Sequence, residues 1–289
     1  MLTQDALAQF LAQLEADGRS PHTMAQYRRH VRLLAQWASD GAHSGHVEDF
    51  SREDVTSFLT ATVATRASDG RQKRPTSVNA VRTSVRCFFA YTAEVGLTAT
   101  NPAARLRRAH CSPPPPRGVT DDDLQRLLDA IEKDRSSAAR RDLALVRTLS
   151  ESGLRLGSAI GLNVEDLDLE SREAMVRQAK GHHRQIAVLP KVLCDHLREH
   201  LGDRTSGPLF ATGSGKRIST RQAQRRLAYW ADKAGTRPLS AHSFRHGFAM
   251  RLYRKTGDIH LVQQALGHRS IVSTLVYARS DRSRLAEAI

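Results

Sequence analysis

Aromatic side chains are scarce in this 289-residue chain, only 5% of it. That scarcity excludes the interleaved aromatic platform on which single-stranded nucleic acids stack. Cysteine is scarcer still: Cys87, Cys111 and Cys194 are odd in number and far apart. Such a set builds neither a disulfide framework nor a paired-cysteine metal site, and it suits a reducing compartment. No apolar run reaches the ~18 residues that a membrane-spanning helix needs. The opening stretch MLTQDALAQFLAQLEADG lacks a basic leader and is broken by Gln4, Asp5, Gln9 and Gln13, so it is not a signal peptide. A cytoplasmic location is expected. Acidic residues run short as well. Asp and Glu number 30 against 44 Lys and Arg, a net charge of +14. That excess favours a polyanionic partner.

The length predicts one or two domains at ~100–200 residues each. Residues Cys111–Gly118 contain four consecutive prolines, which can neither continue a helix nor donate to a sheet. The division expected is a helical domain over 1–110, a Pro-rich linker over 111–118 and a second domain over 119–289. Before the linker the periodicity is helical throughout. Leu7, Phe10, Leu11 and Leu14 form one apolar stripe. Ser20-Pro21 pairs a cap with a proline at the first helical position. Met24, Tyr27, Val31, Leu34 and Trp37 make the buried face behind it. Ser51 and Asp54 have capping-box spacing, with Asp where Glu or Gln is usual. Val78, Val81, Val85, Phe88 and Phe89 mark a fourth helix that Gly96 closes. After the linker, Thr120 caps a helix, another runs from about Arg141 to Glu151 and stops at Gly153, and Ala174–Val176 and Ile186–Leu189 read as strands. Lys180-Gly181-His182-His183 is the hairpin turn between them. The remainder returns to helix: one capped by Ser219 or Thr220, one within Ser240–Lys255, then Asp258–Leu266 and Ile271–Ala278.

The positive charge is uneven. Residues 1–65 hold five basic and eight acidic side chains, residues 66–108 nine and two, and residues 216–255 eleven and one. A genome-wide preference for Arg would not leave the first block acidic. Two basic blocks on either side of a joint fit a clamp around duplex DNA, held mainly through phosphates. Arg82 and Arg86 share a helix face, as do Arg221 and Arg225. With Arg71, Lys73, Arg74 and Arg217, they are the side chains expected on the DNA backbone.

Four segments carry candidate chemistry. Arg155 sits between the stop at Gly153 and the next helix. Lys180 stands at the hairpin tip. His242-Ser-Phe-Arg245-His246 places His242 and Arg245 on one helix face, opposite Phe244 and Phe248. His268 follows the helix-ending Gly267, and Tyr277 comes nine residues later. Metal binding is not expected. His242 and His246 have zinc-helix spacing, but Ser243 stands where the motif requires Glu. A nucleophile elbow and a phosphate-binding P-loop are both missing, since Gly213-Ser-Gly-Lys-Arg217 has neither the spacing nor the hydroxyl. Two Arg, a Lys, two His and a Tyr are what metal-free attack on a phosphodiester requires: nucleophile, oxyanion clamp, and groups to move protons.

In this order, Arg155, Lys180, His242, Arg245, His268 and Tyr277 resemble the tyrosine recombinase (phage-integrase-like) family. The likeness spans nearly the whole chain and is nearest the Xer-type and compact phage or transposon integrases. It implies a mainly α fold with a small β-sheet. Residues 1–108, including the Asn101-Pro102 ending, look like the family's helical (SAM-like) core-binding domain, and 119–289 like its α+β catalytic domain. It implies that Tyr277 attacks the scissile phosphate to give a 3′-phosphotyrosine. Arg155 and Arg245 would hold the phosphate, Lys180 would protonate the leaving oxygen, His242 would assist proton transfer and His268 would position the phosphate. It further implies a tetramer of like or unlike protomers on two DNA sites, a Holliday junction and no cofactor. Ser158 departs from the pattern, because many relatives carry an acid there to support the first Arg. The tail containing Leu285 and Ile289 would pack in cis or on a neighbour. Two other readings stay open at this point: a non-catalytic accessory DNA-binding protein, and a topoisomerase or telomere resolvase with the same chemistry.

Overall fold

In a computed structural model the chain divides into two compact units, Met1–Pro113 and Pro114–Ile289. The structure describes residues 1–41, 43–111, 117–176, 185–268 and 270–280. Most of the expected linker, residues 112–116, lies outside them.

The N-terminal unit is helical among the described residues. Helix α1 (Thr3–Ala16) buries Leu7, Phe10 and Leu14. Helix α2 (Pro21–Asp40) starts as the sequence predicts, with Ser20 accepting from the Thr23 amide and Pro21 in the first turn. Helix α3 (Arg52–Thr60) has the full capping box: Asp54 N–H donates to Ser51, and Ser51 N–H donates to Asp54. It ends at Thr60. Ala61 takes an extended conformation, and a single turn, α4 (Thr62–Thr65), follows. Helix α5 (Pro75–Glu94) completes the bundle, and Gly96 turns the chain away at φ +76°. The core is aromatic: Phe10, Phe58, Phe88 and Phe89 are all buried, and Phe88 meets Phe10 and Phe89 at 5.8 and 5.3 Å between ring centres.

The C-terminal unit is built around α7 (Ser137–Ser152), which packs against α6 (Asp121–Glu132), α9 (Lys191–Leu201), α10 (Thr220–Lys233) and α11 (Ala241–Thr256). Thr120 caps α6 as expected. Helix α7 begins at Ser137, ahead of the predicted Arg141, because Ser136 caps it. Gly153 then ends it in the left-handed region, φ +64°. A one-and-a-half-turn helix, α8 (Leu156–Gly161), follows. Strands β1 (Leu167–Asp168), β2 (Glu173–Val176) and β3 (Gln185–Val188) form an antiparallel sheet in that order, with Met175 opposite Ile186. The predicted hairpin turn at 180–183 lies outside the described residues. The expectation lacks β1, which is two residues long, and α9, whose stripe is only Leu193, Cys194 and Leu197. Helices α12 (Ile259–Leu266) and α13 (Leu275–Ser280) close the unit. The expected helix 271–278 is in fact a short 3₁₀ turn, Ile271–Ser273, before α13.

Helix α11 is locked in place by glycine. A Cβ on Gly247 would stand 2.7 Å from the Val119 side chain, and one on Gly118 would stand 2.9 Å from the Gly247 nitrogen. Only with both side chains absent can the chain entering this unit lie against α11, where Val119 N–H donates to the Ser243 carbonyl at 2.9 Å. That contact fixes the helix that carries His242 and Arg245.

Candidate active site

Arg245 is 3% exposed, so α11 does not offer it to open solvent as the sequence pattern predicts. Its guanidinium is held by two helix ends. Nη1 donates to the Gly153 carbonyl at 2.6 Å and Nη2 to the Leu266 carbonyl at 2.7 Å. Those carbonyls sit at the C-termini of α7 and α12, where backbone acceptors have no partner within the helix. The fork of Arg suits two fixed acceptors and keeps further N–H groups for an anion.

Arg155 occupies the N-cap position of α8 and is exposed. Its carbonyl accepts from the Ala159 amide at 2.9 Å, while its guanidinium makes no hydrogen bond or ion pair among the described residues. Arg155, His242 and Arg245 line one cleft of about 410 Å³, together with Thr220, Gln224 and Ser240. Two guanidiniums thus face one cavity and repel each other. Burial and Arg155 draw Arg245 down to about 10, still charged at neutral pH. The repulsion is relieved when an anion enters.

His268 and Tyr277 arrive on the chain beyond α12. Gly267 turns at φ +60°, and a Cβ there would stand 2.3 Å from the Gln185 amide. The β2–β3 hairpin therefore begins its return strand against the His268 loop. His268 Nδ1 is 2.9 Å from the Thr274 hydroxyl, which is fully buried, and this contact orients the ring. Tyr277 is 3% exposed. Its hydroxyl lies 2.9 Å from Nδ1 of His246, whose ring also meets His242 edge-on at 4.7 Å. Burial raises the Tyr277 phenol, and Arg245 works against that. Burial, Arg245 and Arg155 pull His268 down to about 4. Burial, His242 and Arg245 do the same to His246, and His242 shifts downward for similar reasons. All three imidazoles are neutral at pH 7, ready to accept hydrogen bonds. The structure therefore assembles Arg155, His242, Arg245, His268 and Tyr277. Lys180 lies outside the described residues.

The residues expected on DNA separate into groups. Arg74, Arg86, Arg221 and Arg225 are exposed. Arg221 and Arg225 lie on α10, beside Thr220 and Gln224 of the cleft. Arg71 is exposed but pairs with Asp69 at 2.6 Å. Lys73 turns inward, donating to the Val63 and Ala64 carbonyls at 2.9 and 3.1 Å. Arg82 reaches Asn79 at 3.4 Å from a half-buried position. Arg217 runs against the expectation. It donates to the Ile160 and Leu162 carbonyls, at 2.5 and 2.9 Å, and to the Asn163 side chain. Its guanidinium fastens the end of α8 by joining three acceptors there, one of which, the Leu162 carbonyl, also accepts from the Leu209 amide.

Sequence reasoning passes over three groups. His246 stands inside the quoted motif but is weighed only as a metal ligand. Its signal is the i,i+4 spacing from His242. Asp142 is 2% exposed and accepts from Arg141, Arg226 and the Trp230 indole. Arg29 lines a cavity of about 500 Å³ in the N-terminal unit with Lys73 and the first turn of α5. Partners so distant in sequence leave no local pattern.

Residues 117–284 match the model of the phage integrase family, and residues 7–96 that of the phage integrase N-terminal SAM-like domain. Tyrosine recombinase XerC of Chromobacterium violaceum is 30% identical over 288 residues, covering 98% of this chain and 92% of the relative. XerC of Neisseria meningitidis is 32% identical, covering 96% and 91%. A lambda integrase dimer bound to a COC′ core site is similar in fold, with a TM-score of 0.75 at 19% identity, covering 97% and 96% of the two chains. XerH recombinase bound to a palindromic difH substrate, in a post-cleavage complex, gives 0.73 at 21%, covering 96% and 83%. The fold, the assembled residues and the matched sequence agree: the chain belongs to the phage integrase family of tyrosine recombinases.

Proposed function

We propose that this chain is a site-specific DNA recombinase that cuts and rejoins duplex DNA at paired sites. Tyr277 is the nucleophile. Its oxygen attacks the scissile phosphorus while the bond from phosphorus to the 5′-oxygen breaks. The products are a 3′-phosphotyrosine and a free 5′-hydroxyl. One phosphodiester is exchanged for another, so no nucleotide is consumed. Arg155 and Arg245 bind the non-bridging oxygens and stabilise the charge that grows on them. Lys180 gives its proton to the departing 5′-oxygen, His242 assists proton transfer and His268 orients the phosphate. The free 5′-hydroxyl of a second site then attacks the adduct, releases Tyr277 and builds a Holliday junction among four protomers. The structural neighbours include a lambda integrase tetramer bound to such a junction.

In this reading residues 1–110 grip the DNA, residues 111–118 link the units and residues 119–289 carry the chemistry. The phosphate contacts fall to Arg74, Arg86, Arg221 and Arg225, with Arg71, Lys73 and Arg82 in support. The reaction belongs in the cytoplasm. Three free cysteines fit that, and no described helix is long and apolar enough to cross a membrane.

One observation carries the reading: two guanidiniums and one imidazole line a single cleft, with no acidic side-chain partner for Arg155 among the described residues, and the His242 ring leads through His246 to the buried Tyr277 phenol. Covalent capture tests it. The protein is incubated with sheared genomic DNA of its source and denatured, and the protein-linked fragments are sequenced. A repeated end sequence that disappears in Tyr277→Phe is the expected result. Adducts that persist in Tyr277→Phe would sink the assignment.

A further inference from the structure

The Tyr277 hydroxyl has a problem that the two guanidiniums do not solve. It must point at phosphorus while its proton stays engaged with an acceptor. At 3% exposure it has no bulk water for that purpose. Among the described residues its hydrogen-bond partner is His246, with Nδ1 at 2.9 Å and the ring centres 5.6 Å apart.

We propose that His246 is the positioning residue for the nucleophile, holding the Tyr277 hydroxyl by accepting its proton in a hydrogen bond at Nδ1. The assignment rests on the strand-cleavage reading above and adds to it a sixth described residue.

The direction of the bond follows from accounting for protons. A phenol has one proton, and buried donors find acceptors. If Nδ1–H donated instead, the buried phenol proton would lack a partner among the described residues. With Nδ1 accepting, the imidazole proton sits on Nε2. Burial with His242 and Arg245 nearby keeps the ring neutral at pH 7, so the Nδ1 lone pair is free to accept.

The placement explains why this residue holds the nucleophile. His246 directly follows Arg245 and lies one turn after His242. A single helix therefore carries one guanidinium of the phosphate clamp, the cleft imidazole and the acceptor for the phenol. That helix cannot slide. Gly247 is wedged against Val119, and Arg245 is bonded to two helix ends. The nucleophile itself comes on α13, after a 3₁₀ turn and a loop. One hydrogen bond thus ties the segment that carries the nucleophile to the helix that carries Arg245. Misplacing a reacting atom by ~1 Å can cost ~100-fold in rate. A tether of this kind removes that error.

The test combines three variants with the capture assay on sheared genomic DNA of the source organism. His246→Ala should slow adduct formation in single turnover by ~10–100-fold. Its affinity for the same DNA should stay within a factor of about two, because His246 contacts no phosphate in this reading. His246→Asn is the informative rescue. The Asn amide oxygen lies as many bonds from the backbone as Nδ1 does, and it accepts but cannot act as a base. Asn should recover most of the lost rate. Tyr277→Phe gives no adduct and sets the background.

The outcomes separate. An adduct that survives Tyr277→Phe overturns the strand-cleavage reading. A Tyr277-dependent adduct whose rate ignores His246→Ala overturns the His246 assignment alone. So does a loss in Ala that Asn fails to recover, or a loss matched by weaker DNA binding and a lower melting temperature. A measurement on the free protein stands apart from DNA. With tyrosine labelled at the ring carbon bearing oxygen, the Tyr277 resonance (identified by its absence in Tyr277→Phe) should shift in His246→Ala and return towards its original position in His246→Asn. An unchanged resonance in His246→Ala overturns the proposal.

Discussion

The two units treat charge in opposite ways. Among the described residues, every buried Asp and Arg lies in the C-terminal unit: Asp123, Arg141, Asp142, Asp166 and Arg245. The N-terminal unit buries rings and neutral polar groups, such as His30 bonded to Ser84 at 2.8 Å, and leaves most of its cations outside. Burying an ion costs several kcal/mol unless partners satisfy it. In the proposed reading the N-terminal unit only grips a polyanion and gains nothing from that cost. A unit that must aim guanidiniums at one phosphorus atom does, because burial with fixed partners sets direction. Asp142 shows the same economy away from the cleft. Arg226 donates to it at 2.5 Å and the Trp230 indole at 2.8 Å, which fastens α10 and its exposed Arg221 and Arg225 to α7.

The sharpest way to break this comparison is to remove one key group from each unit. Asp142→Ala leaves Arg141, only 9% exposed, without its charge partner. It should cost the C-terminal unit ~3–5 kcal/mol. Phe88→Ala empties the aromatic core of the other unit and should cost it a similar ~3–5 kcal/mol. The chain has two tryptophans, Trp37 in one unit and Trp230 in the other. Denaturant unfolding in Trp37→Phe and Trp230→Phe backgrounds reads each unit by itself. Asp142→Ala should lower the Trp230 transition and spare that of Trp37, and Phe88→Ala the reverse. Equal losses at both would mean that the units do not differ in what holds them.

Function should divide along the same line. Arg245→Lys keeps the charge but cannot serve both the Gly153 and Leu266 carbonyls with a rigid fork. Single-turnover cleavage of bound DNA should fall by ~10²–10³-fold, with affinity nearly unchanged. A variant that lost affinity and kept its cleavage rate would place Arg245 among the binding residues.

That division also explains what could be read in advance. The residues assigned chemistry in the proposed reading stand in short local motifs: Arg155 and His268 follow the helix stops at Gly153 and Gly267, and Arg245 lies three residues after His242 on one helix, so their positions are legible. The caps at Ser20, Ser51 and Thr120 were legible for the same reason: each depends on neighbours within four residues. Surface cations carry no such local signal. Nothing near Arg217 reveals that the Ile160 and Leu162 carbonyls will claim it, and nothing near Lys73 points to Val63 and Ala64. His246 fell between the two classes. Its spacing was visible, but its partner Tyr277 stands 31 residues away.

Acid should separate the units more gently. Burial draws His30 down to about 4 in the N-terminal unit, and burial with nearby cations does the same to His246 and His268 in the other. Each binds a proton more weakly folded than unfolded, where ~6.5 is ordinary. The unfolded chain therefore takes up protons first. Stability is complete above about pH 6.5 and drains away towards pH 4. Each imidazole should contribute on the order of 1–3 kcal/mol to that loss. The C-terminal unit has two such groups plus the downshifted His242 and His200, against one in its neighbour. Its Trp230 transition should fall faster between pH 6.5 and 4.5. His246→Asn and His268→Asn should flatten the fall, and His30→Asn should not.

The smallest effect concerns a single exposed cation. Arg86 stands on α5 in the open, with no bonded partner among the described residues. If it meets one phosphate, its removal releases about one counterion fewer on binding. For Arg86→Gln the plot of log affinity against log salt should lose ~0.9 of its slope, uniformly over DNA sequences. Cleavage of the saturated complex should not change, because nothing at the cleft depends on Arg86. Arg217→Gln is the matched control from the basic block of the other unit. It removes the Arg217 bonds to the end of α8, so it should lower the Trp230 unfolding transition and leave the salt slope alone. Were the slope to move with Arg217 and stay still with Arg86, the division between an outward-facing grip and inward-facing chemistry would have to be redrawn, residue by residue, from the salt dependence.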